Sequence, residues 1–163
     1  MSRSQTFQLV RSLLAASAAG LLSAAAPAPQ ASRALVDISE HRLTLYDGDA
    51  VLGRWKVGIG SGGKVAKCRD GDKRTPHGDY LLSPGRKSRY RTFLPISYPN
   101  REDRARGCTG SAIGIHGTGN QLKYKLGQTT GMDWSTGCIT VTNKEIDRIS
   151  ELVRSRIPIS ITA

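Results

Sequence analysis

A histidine and a cysteine in the C-terminal part of the chain could together perform nucleophilic chemistry. The sequence reads IHGT at 115–118 and, further along, STGCI at 135–139. A cysteine directly after a glycine, with a histidine upstream at the end of an apolar run, is one way in which a thiol nucleophile and its base reach the same site. The pattern predicts that the Cys138 thiolate attacks a carbonyl carbon, with His116 as its partner.

The roles of the two residues follow from their acid–base chemistry. His116 can accept the thiol proton of Cys138 and later return it to a leaving amine. The imidazole needs a third group that fixes its tautomer, and no aspartate or asparagine is well placed in the sequence to do so. The backbone carbonyl of Gly117 is therefore the candidate for that role.

The residues around the cysteine predict a tight turn that could stabilise a developing oxyanion. The turn contains Ser135, Thr136 and Gly137, and its backbone N–H groups could point at the oxygen that gains charge. Gly137 would permit a positive φ there. Trp134, beside the turn, either lines a substrate groove or belongs to the core.

Other interpretations of these residues are possible. A single cysteine is often inert core packing, and a histidine at a strand end is often only hydrogen-bonded. The chain has three cysteines and three histidines, but their spacing contains no zinc-binding pair, so we predict no metal site and no cofactor. A GxGxxG pattern at 58–63 leads into a polar loop and not into a helix, which excludes a dinucleotide site.

Short apolar or alternating runs dominate the rest of the sequence and predict strands. These runs lie at 34–38, 42–46, 51–59, 78–83, 112–116, 139–141 and 158–162, with a hairpin turn at 47–49. Residues 64–77 are polar and predict a long loop, and residues 84–110 predict loop or edge structure. A helical turn could form at 120–126.

One helix is clearly indicated near the C-terminus. Thr142 and Glu145 have the spacing of a capping box. An apolar stripe at helical spacing then follows, formed by Ile146, Ile149, Leu152 and Val153. Many short strands with one main α-helix predict a mainly β domain, a β-sandwich or barrel with a helix packed on it.

The N-terminal residues have the pattern of an export signal. A basic start is followed by an apolar run and then by small residues, which is typical of a secretory signal peptide. We assign residues 1–28 to the signal peptide, 29–33 to a short leader and 34–163 to a single domain. The alternative is an uncleaved N-terminal anchor, although the apolar run is short for a membrane span.

The charge of the chain indicates an anionic partner. The formal net charge is +11, and it falls to +9 without residues 1–32, which contain Arg3, Arg11 and no acidic residue. Export and the lack of aromatic residues between the basic ones argue against nucleic acid. An anionic cell-envelope polymer fits better, and the alternative is that the charge only maintains solubility.

The odd number of cysteines predicts one free thiol in an oxidising compartment. Cys138 is the candidate for the free thiol because of the Gly-Cys turn. Cys68 and Cys108 are then the candidate partners of a disulfide that closes a 40-residue loop, and such a bridge would stabilise the fold by about 3–4 kcal/mol.

Several motifs in order resemble the L,D-transpeptidase catalytic domain (YkuD-like) family. They are the HGT and STGCIT motifs that contain His116 and Cys138, the GDKRTPHGDY segment at 71–80, and the shorter stretches ISYPN at 96–100 and TVTN at 140–143. The resemblance covers residues 34–162.

The resemblance implies a mostly β fold and an exported enzyme of the periplasm or cell envelope that acts on peptidoglycan stem peptides. Cys138 would attack the carbonyl of the third stem residue, and an amine acceptor would resolve the thioacyl-enzyme. His116 would be the base, Gly117 would orient it, and Ser135 and Gly137 would shape the nucleophile turn. The alternatives are a hydrolase of the same fold and a non-catalytic wall-binding module. Neither nucleic acid nor stable membrane insertion is expected.

Two positions depart from the family pattern. Thr136 stands where the family often has histidine, and Thr140 stands where it often has arginine or asparagine. Thr140 and Trp134 are candidates for substrate contacts, and Thr136 belongs to the nucleophile turn. These departures bear on how the site handles the carboxylates of the substrate and on which acceptor it uses.

Overall fold

A computed structural model describes residues 27–120 and 130–163 of the chain. Its strands are Arg33–Asp37 (β1), Arg42–Asp47 (β2), Ala50–Lys56 (β3), Ile59–Gly60 (β4), Gly78–Leu82 (β5), Arg86–Ser88 (β6), Arg91–Pro95 (β7), Gly114–His116 (β8), Asp133–Ser135 (β9), Ile139–Thr140 (β10) and Ile157–Thr162 (β11). Its helices are Arg101–Ala105 (α1) and Asn143–Leu152 (α2). The prediction of a mainly β fold with one main helix is confirmed.

Two larger sheets and a strand pair build the domain. The five-stranded sheet has the order β3-β2-β1-β11-β5, the four-stranded sheet has the order β10-β8-β7-β6, and β4 pairs with β9. The strands at the ends of these orders have only one partner in their sheet, so the described residues form no closed barrel, and the barrel alternative is wrong. One hydrophobic core contains residues of both larger sheets and of α2.

The segment 84–110 is more ordered than the sequence indicates. The strand β6 is an edge strand, as expected, but β7 lies inside its sheet between β6 and β8. Its one fully buried side chain is Leu94, so the apolar signal of this strand is weak. The helix α1 was not predicted, although Asn100 and Asp103 form a capping box at its start.

The helix α2 forms as the sequence predicts. The Thr142 hydroxyl accepts a hydrogen bond from the backbone N–H of Glu145, whose side chain accepts one from the backbone N–H of Thr142. The apolar face of α2 is buried, and the helix packs against β7 and β8. These contacts hold the sheet that carries His116 against the core.

Two expectations fall outside the described residues. The signal peptide assigned to residues 1–28 lies almost entirely in 1–26, and the helical turn expected at 120–126 lies mostly in 121–129. In the part of the chain that the structure does describe, no helix is both long and apolar enough to span a bilayer.

Candidate active site

The register between β8 and β10 places Cys138 and His116 on one face of their sheet. The two strands are parallel, and His116 is paired with Thr140. Cys138 directly precedes Ile139, which is paired with Ile115, so continuing the register by one residue sets Cys138 opposite Gly114. Because side chains alternate between the two faces of a strand, Cys138 and His116 point to the same side.

Both side chains line one cavity of about 480 Å³. Thr136 from the nucleophile turn lines the same cavity. The side chain of His116 is buried, and that of Cys138 is half-buried. The structure thus brings together the two residues that the sequence analysis selected for the chemistry and one of the two positions that depart from the family pattern.

A hydrogen bond from its Nδ1 sets the tautomer of His116. This nitrogen lies 2.6 Å from the carbonyl oxygen of Gly117. Since a carbonyl oxygen can only accept, Nδ1 carries the proton and Nε2 is left with the lone pair of a base. The ring stacks on Tyr90, at 4.3 Å between centroids, and lies 6.2 Å from the ring of Phe93, so its orientation is fixed on several sides.

Cys138 carries a free thiol. Its Sγ donates to the backbone carbonyl of Ala112 at 3.5 Å. Ala112 adopts a φ of +58°, an uncommon value for a residue that is not glycine. Strained backbone of this kind often occurs at functional sites, and here it belongs to the residue whose carbonyl accepts the hydrogen bond of the thiol.

Burial shifts the pKa values of both groups towards their neutral forms. Desolvation lowers the pKa of His116, and the charge of Arg89 adds to the shift, although the hydrogen bond to Gly117 opposes it. Desolvation also raises the pKa of the Cys138 thiol, against the effects of the Gly114 N–H and the Lys67 charge. At neutral pH the resting pair is therefore a thiol and a neutral imidazole.

The turn before the cysteine is closed by Ser135. Its buried hydroxyl accepts from the backbone N–H of Gly137 at 3.0 Å and donates to the carbonyl of Cys138 at 2.5 Å. Gly137 has a φ of +125°, and a Cβ there would lie 2.6 Å from the carbonyl oxygen of Arg74. In the resting structure the N–H of Gly137 is thus bonded within the turn, and an oxyanion role for the backbone N–H groups of this turn stays a prediction.

The two predicted substrate contacts are placed differently. Thr140 is fully buried opposite His116, where β10 also bridges to Gly58, and it is not among the described residues that line the cavity. A substrate contact of Thr140 stays a prediction. Trp134 is half-buried on β9 and is not among the described residues that line the cavity. A substrate contact of Trp134 stays a prediction.

Asn143 holds the backbone that follows His116. Its Oδ1 accepts from the N–H groups of Thr118 and Gly119, at 3.0 and 2.9 Å, and its Nδ2 donates to the Gly119 carbonyl at 2.8 Å. The sequence analysis did not select it as a site residue. Two signals were available in the sequence, since Asn143 ends the TVTN stretch at 140–143 and lies in the first turn of α2, next to the capping box.

The loop that carries Cys68 forms another wall of the cavity. The structure contains the disulfide Cys68–Cys108, which joins this loop to the segment before Ala112. Lys67 lines the cavity with its side chain almost fully buried, and it forms an ion pair with Asp72 at 2.8 Å. This pair was not predicted, because the loop shows no periodicity.

The cavity wall on the side of β6 and β7 is cationic and aromatic. Arg86 and Arg89 line it together with Tyr90 and Phe93. The sequence analysis assigned these residues to loop or edge structure and did not select them as site residues. No group of three or more potential metal ligands occurs within residues 27–120 and 130–163.

Comparison with known proteins assigns this architecture to a family. The family model for the YkuD L,D-transpeptidase catalytic domain matches residues 31–161. Among curated proteins, YafK of Escherichia coli K12 is 33% identical over 106 residues, which are 63% of this chain and 37% of that protein. The chain thus matches little more than a third of the length of this relative.

Solved structures show the same fold. The helical cell shape determining protein Pgp2 of Campylobacter jejuni superposes with a TM-score of 0.66 at 22% identity, over 82% of this chain and 48% of that chain. An L,D-transpeptidase of Mycobacterium smegmatis gives 0.57 at 15% identity, over 82% and 59% of the two chains. The catalytic domain of the Enterococcus faecium L,D-transpeptidase gives 0.56 at 15% identity, over 80% and 96%.

Proposed function

This chain belongs to the YkuD family of L,D-transpeptidase catalytic domains, and on that premise we propose that it is a cysteine acyltransferase of peptidoglycan stem peptides. The observation that carries the proposal is the placement of a free thiol, Cys138, and a buried histidine, His116, on one sheet face and in one cavity. A non-catalytic wall-binding module would have no need of a base with a fixed tautomer beside a free thiol.

In the first half-reaction the Cys138 sulfur attacks the carbonyl carbon of the third stem residue. The thiol proton passes to Nε2 of His116, and a carbon–sulfur bond forms. The carbon–nitrogen bond to the terminal residue then breaks, and the imidazolium gives its proton to the leaving amine. The products are a thioester on Cys138 and a free amino acid, and His116 is again neutral.

In the second half-reaction an acceptor amine attacks the thioester. His116 takes a proton from this amine and returns it to the departing Cys138 sulfur, which restores the thiol. An amine of a second stem peptide yields a crosslink, an amine of a protein yields an attachment, and water would yield hydrolysis. The neutral resting pair supports proton transfer that accompanies attack, since neither group is ionised beforehand.

The proposed site of action is the cell envelope. Residues 1–28 have the composition of a signal peptide, and the net charge of +9 that remains without residues 1–32 suits an anionic polymer as partner. The disulfide Cys68–Cys108 fits an oxidising compartment. Determining the N-terminal residue of the protein recovered from the envelope tests the export step.

Mass spectrometry of the purified protein with a tetrapeptide stem tests the chemistry. We expect a thioester adduct on Cys138, release of the terminal amino acid and, with an acceptor stem, a new amide bond. Cys138→Ser and His116→Ala should each abolish turnover while the far-ultraviolet circular dichroism is kept. A folded wild-type protein without an adduct would refute the proposal. Shortened stems without any amide product would show that water is the acceptor.

A further inference from the structure

The cavity beside His116 has a cationic wall that the proposed chemistry does not use. Three basic residues line the cavity, but Lys67 is already paired with Asp72. The other two, Arg86 and Arg89, lie on and directly after the edge strand β6, and both are exposed. Across the described ranges 27–120 and 130–163, neither guanidinium forms a salt bridge, in contrast to Arg91, which pairs with Asp147.

The sheet register fixes the direction in which Arg86 points. Arg86 is paired with Phe93 across β6 and β7, and Phe93 is paired with His116 across β7 and β8. Directly paired residues share a face of the sheet. Arg86, Phe93 and His116 therefore form one row on the face that also bears Cys138, and the row places Arg86 about 10 Å from His116 at the Cα atoms, two strand spacings away.

Both guanidinium groups rest on the aromatic rings that surround the histidine. The Arg86 guanidinium lies 5.6 Å from the centroid of Phe93, and that of Arg89 lies 4.8 Å from the centroid of Tyr90. Stacking of this kind restricts a long side chain and leaves the N–H groups at the edge of the guanidinium free to donate. The two arginines thus form a restrained donor set that matches a carboxylate.

The proposed reaction determines which carboxylate reaches this wall. The leaving amine must lie against Nε2 of His116, because the imidazolium protonates it. Across the sheet, His116 stands between Cys138 and the row that leads to Arg86. The acyl part of the substrate is held at the sulfur, so the leaving residue extends over His116 towards the arginines.

We propose that Arg86 and Arg89 bind the free terminal carboxylate of the leaving residue and so select peptides that end one residue beyond the bond that is cut. This inference rests on the proposed function.

Two matched stem tetrapeptides test the inference, one with a free terminal carboxylate and one with a terminal carboxamide. The release of the terminal residue is measured for the wild type, Arg86→Gln and Arg89→Gln. Lys87→Gln is the matched control, because it removes the same charge from the neighbouring position of β6, which is exposed and does not line the cavity.

We expect the wild type to prefer the carboxylate peptide, and each arginine variant to lose about 10- to 100-fold in kcat/KM on that peptide, as for a lost charge-assisted hydrogen bond. On the carboxamide peptide at pH 8, where the imidazole of His116 is neutral with or without the charge of Arg89, the variants should match the wild type, which also shows that they are folded. Lys87→Gln should resemble the wild type on both peptides.

The outcomes separate this inference from the proposed function. A wild type that releases the terminal residue equally from both peptides would overturn the inference and leave the acyltransferase intact. Equal losses of the arginine variants on both peptides would also overturn it, because they would indicate a structural role. A wild type that cuts neither peptide and forms no thioester would overturn the proposed function, and the inference with it.

Discussion

The Nζ of Lys67, which lines the cavity, lies 2.8 Å from Oδ1 of Asp72, and both side chains are largely buried. The carboxylate of Asp72 also accepts from the backbone N–H groups of Cys68, Arg69 and Arg74. The ammonium of Lys67 donates in addition to the carbonyl of Arg69. One carboxylate therefore organises the loop that carries the disulfide and forms a wall of the site.

Asp72→Asn is expected to destabilise the protein by about 3 kcal/mol, because it leaves the Lys67 ammonium buried without its counter-charge. Chemical denaturation of the two proteins at neutral pH measures the difference. Asp49→Asn, in the exposed turn between β2 and β3, is the control and should change the free energy of unfolding by less than about 0.5 kcal/mol. Equal effects of the two substitutions would show that the ion pair does not hold the loop.

The same carboxylate makes stability depend on acid pH. Its interactions hold the pKa of Asp72 far below its usual range despite burial. A group whose pKa is lowered on folding stabilises the protein above its unfolded pKa, about 3.9, and this contribution is lost as the pH falls towards the folded pKa. The difference in unfolding free energy between wild type and Asp72→Asn should therefore be largest above about pH 4 and shrink below it. A difference that is constant from pH 6 to pH 2 would contradict the assignment.

The pH dependence of turnover should report the burial of His116. A neutral imidazole is needed to accept the thiol proton, and burial lowers the pKa of this group. The acid limb of kcat/KM is therefore expected to have its midpoint below about 6.5, the ordinary value for histidine. A midpoint at or above that value would mean that the imidazole is more exposed to solvent than in this structure, or that it interacts with a negative charge.

Alkylation of Cys138 by iodoacetamide gives an independent check on the neutral pair. Burial raises the pKa of this thiol, and the other two cysteines are joined in a disulfide. At pH 7 we expect the folded protein to react more slowly than free cysteine, because less thiolate is present. Faster reaction than free cysteine would instead indicate a preformed thiolate–imidazolium pair.

The sequence predicted the elements with strong local signals and missed those that depend on tertiary pairing. The helix α2 has a capping box and an apolar stripe, and both are local. The strand β7 contains one fully buried side chain, Leu94, and owes its position inside the sheet to pairing with β6 and β8. Because that pairing is not visible in the sequence, Phe93 and Tyr90 were not predicted to flank His116.

The contrast between local signals and tertiary pairing also applies to the candidate site. His116 and Cys138 could be selected from the sequence because their residue types and flanking glycines are chemically distinctive. Arg86 and Lys67 could not be selected, because a basic residue in a polar segment of a basic protein has no distinguishing pattern. Their placement at the cavity depends on the register of β6 and on the buried pairing of Lys67.

Asn143→Ala is expected to reduce turnover more than stability. Asn143 bonds Thr118 and Gly119 directly after the histidine strand, and its loss should allow the Gly117 carbonyl and the His116 ring to move. A misplacement of about 1 Å can cost about 100-fold in rate. We expect a lower kcat with little change in KM, measured with the tetrapeptide. Asn143→Asp keeps the acceptor for both N–H groups and should recover part of the loss, whereas a rise in KM alone would contradict a positioning role.

The close approach of Gly137 to a neighbouring loop allows a sharper test of the nucleophile turn. A Cβ at this position would lie 2.6 Å from the backbone oxygen of Arg74, and the φ of +125° is unfavourable for any side chain. A Cβ at position 137 could be accommodated only if the backbone of residue 137 or of Arg74 moved. Movement of residue 137 would displace the next residue, Cys138. Gly107 also has a positive φ, of +74°, but a Cβ there would meet nothing within 4 Å.

Gly137→Ala is therefore expected to lower the rate of thioester formation by at least about 100-fold, since it displaces the sulfur from His116. Gly107→Ala introduces a positive-φ alanine without the collision, so it should cost about 1 kcal/mol of stability and leave the rate unchanged. Both variants are compared by thermal unfolding and by mass spectrometry of the Cys138 adduct at matched times. If Gly137→Ala formed the adduct at the wild-type rate, the contact between the nucleophile turn and Arg74 would not control the position of the thiol.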